Sequence, residues 1–193
     1  MSRTHVSCRP HLEVLEDRLA PGSLLGSHDP APDLALLAGI FAARQQGAIQ
    51  TTSEVRVIAD GTVVGSSTLT RTDNGVTAHL TASGLPPGAY TFWMKVDRHL
   101  PGGGTDTVSG RLAGHVVGEG GNLNFSAHVS VGEVLSGNPD FPSGPLQDPL
   151  HAQITLVVRY HGPADPGRIH EQTHTFEAGV AVNYLRSIHA PPP

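Results

Sequence analysis

The chain has 193 residues, with 12 lysines and arginines against 17 aspartates and glutamates, for a formal net charge of −5. That length supports one ordinary domain with extensions, and basic residues that are few and scattered exclude the positive footprint a nucleic-acid partner requires. Glycine (23) and proline (16) are abundant and charged residues scarce at 15%, which predicts an all-β domain of short strands and turns, while the single cysteine, Cys8, excludes an intrachain disulfide or a thiolate metal cluster.

In chain order, Leu12, Leu15 and Leu19 follow helical spacing up to Pro21-Gly22. The stretch RPHLEVLEDRLAPGS, carrying Arg9, Pro10, Leu12, Glu13, Leu15, Glu16, Asp17, Arg18, Pro21 and Ser23, resembles the signature RPxLExLEDRxxPS. That signature is found at the N-terminus of predicted secreted proteins of certain bacteria. The resemblance implies export or envelope association and defines residues 1–26 as an export-associated segment. Leu34–Ala43 is an unbroken apolar run, long enough for a signal-peptide core but short of the roughly 20 residues a membrane span needs. Asp29 and Asp33 lie where a signal would carry basic residues. We read a short helix capped by Asp33 and stopped at Gly47, within a linker over 27–52. No transmembrane span is expected.

From Ser53 the pattern is that of strands, predicted near Glu54–Ile58, Thr62–Arg71, Gly75–Ser83, Ala89–Val96, Thr107–Val117, Asn122–Val131, Gln153–Tyr160 and Ile169–Phe176. Asp60-Gly61 and Asp73-Asn74-Gly75 are hairpin signals. Val76, Ala78 and Leu80 oppose Thr77, His79 and Thr81, so one face is core and the other wet. This predicts an antiparallel β-sandwich over 53–187 with Greek-key, immunoglobulin-like connections and a short N-terminal helical extension. Gly132–Pro149 has four prolines and no period, and reads as a long surface loop that could carry binding. Residues 188–193 read as a frayed proline tail.

Gly84-Leu85-Pro86-Pro87-Gly88-Ala89-Tyr90-Thr91-Phe92-Trp93, Gly114-His115-Val116, and Leu156–Arg159 with His161-Gly162-Pro163, Pro166-Gly167, Glu171-Gln172 and Thr175-Phe176 form a series. It resembles a family of uncharacterised, mostly secreted bacterial proteins with GLxPGxxYTxWW early and LVVRxHGPxxPGxxxEQxxTF late. The GLPPG turn is also similar to chordin-type sandwiches and, more distantly, to the copper/zinc superoxide dismutase sandwich. The family often has cysteines where this chain has Val96–His99 and Glu177–Val180. Where the dismutase resemblance would put copper-binding histidines, Trp93 and Lys95 stand, and an ammonium cannot coordinate copper. Dismutase activity is therefore not expected.

Twelve histidines leave a copper or zinc site as an alternative, with His79, His115 and His128 as candidate ligands. The competing reading makes them polar strand residues and the protein free of cofactors. On a strand, His170 and His174 would stand roughly 13 Å apart and could not share an ion. Arg159, His161 and Glu171 are the candidates for a polar cluster around the proline-rich turn. No GxSxG elbow, HExxH helix or phosphate loop is expected. Trp93, beside Tyr90, is a candidate sugar-stacking residue. The expected function is a non-enzymatic binding or structural module, extracellular or in the cell envelope, with a protein or glycan partner.

Overall fold

The computed structural model describes residues 47–99, 102–179 and 181–193. The export-associated segment and the helix expected over 33–46 lie outside them. The strands run β1 (Ile49–Val57), β2 (Val63–Thr72), β3 (Gly75–Ala82), β4 (Gly88–His99), β5 (Thr105–Val117) and β6 (Leu123–Ser130). Two short strands follow, β7 (Val134–Leu135) and β8 (Gly144–Pro145), then β9 (Gln153–Tyr160), a helix α1 (Ile169–His174) and β10 (Val182–His189).

Eight strands form one antiparallel sheet in the order β5-β4-β9-β10-β1-β2-β3-β6, and β7 pairs with β8 inside the predicted loop. The all-β antiparallel expectation holds. The two faces of the expected sandwich are portions of this single sheet, curled until β5 and β6 meet without a ladder between them. Register shifts at Val55/Arg56, Phe92/Trp93 and Asn183/Leu185 mark irregularities of the kind that add twist and bend. The curl brings Phe92 of β4 against Phe125 of β6, stacked with centroids 5.0 Å apart.

Period-two alternation explains the interior. Leu69, Val76, Ala78, Leu80, Phe92, Met94, Val96, Ile154, Leu156, Val158 and Leu185 are all fully buried in one cluster, and their apolar burial is the main favourable term of folding. The edge of β5 is covered by the chain beyond β7, where Arg111 N–H bonds to Ser136 O at 3.1 Å, which blunts a strand edge open to pairing with other chains.

Two elements depart from expectation. Ile169–Phe176 is not a strand, since residues 169–174 are helical, with Gln172 N–H bonded to Arg168 O and Thr175 N–H to Glu171 O. Alternation there had no apolar face to defend, and an anchor at Gln172 decides the conformation instead. The strand β10, absent from the expected set, fills the space between β9 and β1 and takes in Ile188 and His189, so the segment expected to fray from residue 188 is paired with β9 as far as His189.

Helix α1 lies so close to β5 that a Cβ on Gly114 would stand 2.1 Å from Thr173 O and 2.7 Å from Thr173 Cβ. Only a glycine permits this approach. Gly114→Ala is expected to lift α1 and to lower stability by about 1–3 kcal/mol in urea unfolding; an unchanged midpoint would refute the tight packing.

Candidate functional site

The outer face of β4 presents Thr91, Trp93 and Lys95, and the end of β9 presents His161 against it. Backbone bonds between Ala89 and His161–Gly162 lock the two strand ends together, at 2.9 and 3.0 Å. The His161 side chain has Nδ1 2.7 Å from Ala178 O and Nε2 2.8 Å from Thr91 Oγ1. A carbonyl can only accept, so Nδ1 carries the proton and Nε2 accepts from the threonine hydroxyl. Thr91 Oγ1 in turn accepts from Trp93 Nε1–H at 2.7 Å. Burial holds the imidazole below its ordinary pKa, opposed by the Ala178 bond and reinforced by Arg159, so His161 is a neutral structural link.

The expected cluster of Arg159, His161 and Glu171 is not assembled. Arg159 lays its guanidinium over the Phe176 ring, 3.4 Å from the centroid, and donates to Asn183 Oδ1 at 2.9 Å and Ala181 O at 3.1 Å. Its pKa is lowered by burial, with Asp140 and Glu177 opposing. Glu171 instead pairs with Arg168 on the exposed side of α1, at 3.1 Å. Helical rotation turns the next residue inward: Gln172 Nε2 donates to His161 O (3.2 Å) and Pro163 O (3.0 Å), and its Oε1 accepts from Asp165 N–H at 2.9 Å. The long HGPxxPG…EQ…TF stretch is thus a latch closing the turn onto β4.

The three proposed metal ligands do not converge. His79 and His128 share the outer face of β3 and β6, in diagonal register through the Thr77–His128 and His79–Ser126 partners. His115 is the cross-strand partner of the inward-facing Tyr90, and its ring, although exposed, meets Phe125 edge-on at 6.0 Å, so it lies on the opposite side of the sheet from His79 and His128. Among the described residues no group of three or more His, Cys, Asp or Glu could hold an ion. The separation expected for His170 and His174 is overturned, because α1 brings their rings to 4.1 Å. The expectation that the chain has no HExxH helix is likewise overturned, since α1 carries His170-Glu171-Gln172-Thr173-His174.

A groove of about 440 Å³ opens on the outer face of β4, β9 and β10. Its floor is Trp93, Thr155 and Val157, and the chain between β7 and β8 raises Asn138, Asp140 and Phe141 as a wall. Trp93 is only 2% exposed, with Phe176 edge-on to its ring at 5.0 Å, so it supports the groove and cannot stack openly on a sugar. Phe141 is the more accessible aromatic, with the Lys95 ammonium 5.4 Å from its ring centre. Asn138 is held by its Nδ2–H bond to Ser109 Oγ at 3.0 Å. Arg186, Asn183 and Gln153 complete a lining rich in amide and charged groups.

No protein-family model, curated protein or solved structure matches the chain.

A second polar constellation, unforeseen in the sequence, lies inside the barrel. Arg71 is fully buried and donates to Pro149 O (3.1 Å), Ala152 O (2.6 Å), His189 O (2.9 Å) and Ala190 O (3.0 Å). Beside it, His189 contacts Thr51 Oγ1 and Ser67 Oγ, each at 2.9 Å, and Ser67 Oγ–H donates to Ser187 Oγ at 2.8 Å. Burial first, and then Arg71, push the His189 pKa down to about 4. The available signal was the parity of Arg71, two residues beyond Leu69 on the inward face of β2.

Proposed function

We propose that the protein is a non-enzymatic binding module, outside the cell or in its envelope, whose ligand seats in the groove on β4, β9 and β10. The observation that carries this reading is the lining itself. Phe141 offers an aromatic face, and Asp140, Gln153 and Arg186 offer charged and amide groups that make no side-chain hydrogen bond among the described residues, beside Asn138 and Asn183, which Ser109, the Asp140 backbone and Arg159 hold in place. Concave sites of several hundred Å³ with a few convergent polar groups are the usual form of small-ligand sites. An aromatic face beside amides and a carboxylate suits a glycan, with its apolar ring faces and equatorial hydroxyls.

The non-enzymatic part is supported by where hydroxyls meet imidazoles. The Ser67–His189 and Thr91–His161 contacts are sealed in the interior, where no substrate reaches them. The exposed Thr77–His128 and Thr173–His174 pairs stand outside the groove. The placement outside the cell rests on the N-terminal export-associated signature. No helix among the described residues is long and apolar enough to cross a membrane.

A glycan array probed with the purified full chain tests the reading. Binding to at least one oligosaccharide is expected, weakened about tenfold or more by Phe141→Ala and by Asp140→Asn, since each removes a contact worth roughly 1–2 kcal/mol. No binding anywhere on the array, or turnover of a bound sugar, would sink the proposal.

A further inference from the structure

Helix α1 places His170 and His174 one turn apart on its exposed side, with ring planes inclined by 26° and centroids 4.1 Å apart. The His174 ring is already oriented. Its Nδ1 lies 2.9 Å from His170 O and 3.0 Å from Thr173 Oγ1, and because the carbonyl can only accept, Nδ1 carries the proton and Nε2 presents its lone pair to solvent. Metal-binding histidines typically show this arrangement, one nitrogen donating to a backbone carbonyl while the other ligates. His170 makes no side-chain hydrogen bond among the described residues, so its ring is free to turn about exposed torsions.

A six-residue helix is ordinarily marginal, but this one is held from beneath. Gln172 makes three hydrogen bonds to the turn that precedes it, and Thr173 rests on Gly114. The two imidazoles therefore project from a fixed base, and little backbone ordering remains to oppose binding.

We propose that His170 and His174 form a two-imidazole chelate for a divalent transition ion of the zinc, copper(II) and nickel(II) class, bound through the ring nitrogens with water completing the coordination. Imidazole selects these ions over magnesium and calcium, which prefer oxygen ligands. The His170 ring must swing out of the stack for both nitrogens to reach one ion at 2.0–2.1 Å, a movement of an exposed side chain that gives up only its contact with the His174 ring. Glu171 lies between them in sequence but is engaged by Arg168, and no third described side chain joins the pair. Hydrolytic zinc centres use three protein ligands, so this is an exchangeable ion site. It is independent of the ligand in the groove, although α1 runs directly into Phe176, a groove residue, and a bound ion would stiffen that end.

Isothermal titration of the full chain with zinc and nickel chlorides tests the site, using His170→Ala, His174→Ala and the double variant His79→Ala/His128→Ala. The wild type is expected to bind zinc and nickel, with no response to magnesium. Either α1 variant should weaken binding roughly tenfold or more, and the β3/β6 variant should leave it unchanged. Melting in EDTA should be the same for wild type and α1 variants, since both side chains are exposed. Absence of binding by the wild type, or α1 variants that bind as it does, would overturn the proposal.

Discussion

Truncating Arg71 to alanine is expected to lower the unfolding free energy by about 3–5 kcal/mol, the range for breaking a buried charged network by removing one partner. Among the described residues the guanidinium has no carboxylate partner; four carbonyl oxygens from the β8–β9 connection and the end of β10 accept from it. Removing it strands those oxygens and leaves a void at the end of the barrel. Arg71→Lys should fall between, because an ammonium has three donors and cannot span the same fork. Urea unfolding monitored by tryptophan fluorescence gives the comparison, Trp93 being the sole tryptophan. A loss below about 1 kcal/mol for Arg71→Ala would mean that water replaces the guanidinium without penalty.

Acid should open the molecule through His189. The folded state holds this imidazole neutral, with a pKa of about 4 against an ordinary value of 6.5. Between those values the unfolded chain binds the proton and the folded chain does not, so stability is full above pH 6.5 and falls as the pH drops toward 4. Below 4 this group contributes no further loss. The gap corresponds to about 3 kcal/mol. His161, also held neutral by burial, acts in the same direction. His189→Gln, which keeps a hydrogen-bonding group between Thr51 and Ser67, should flatten the pH profile between 6.5 and 4 relative to wild type. Parallel profiles for the two proteins would show that His189 is not the group responsible.

Both effects originate at one junction. β1 and β10 share only the Arg56–Arg186 and Val57–Leu185 register before the ladder between them ends. Beyond it, Thr51, Ser67, Ser187, His189 and Arg71 join the strands through side chains. Polar residues at inward positions thus take over where backbone pairing stops.

Seven of the predicted strands were legible because their alternation is strong: Val76, Ala78 and Leu80 or Ile154, Leu156 and Val158 admit one inward face. β10 was not, because its inward set, Leu185, Ser187 and His189, mixes one apolar residue with two polar ones and carries no hydrophobic period. The helix α1 was hidden for a related reason. Its conformation is set by Gln172 bonding to His161 O and Pro163 O, contacts that arise only after β9 and the turn are in place. Arg159 and His161 were recognisable as special residues from their setting beside the proline-rich turn. Their partners were not, since Phe176, Asn183, Thr91 and Ala178 are brought to them by the fold. The groove was half visible, as a proline-rich loop with binding potential, while the aromatic that faces solvent is Phe141 and not Trp93.

The strand order also dictates when the barrel can be finished. β1, β2, β3 and β6 form one half of the sheet and β5, β4 and β9 the other, and the strand that joins them by hydrogen bonds is β10, the last of the described strands. A growing polypeptide can zip up the β1–β2–β3 meander early, but the halves stay unjoined until residues 182–189 have emerged. Such late, non-local closure slows folding, and it leaves the two halves unjoined until β10 has been made.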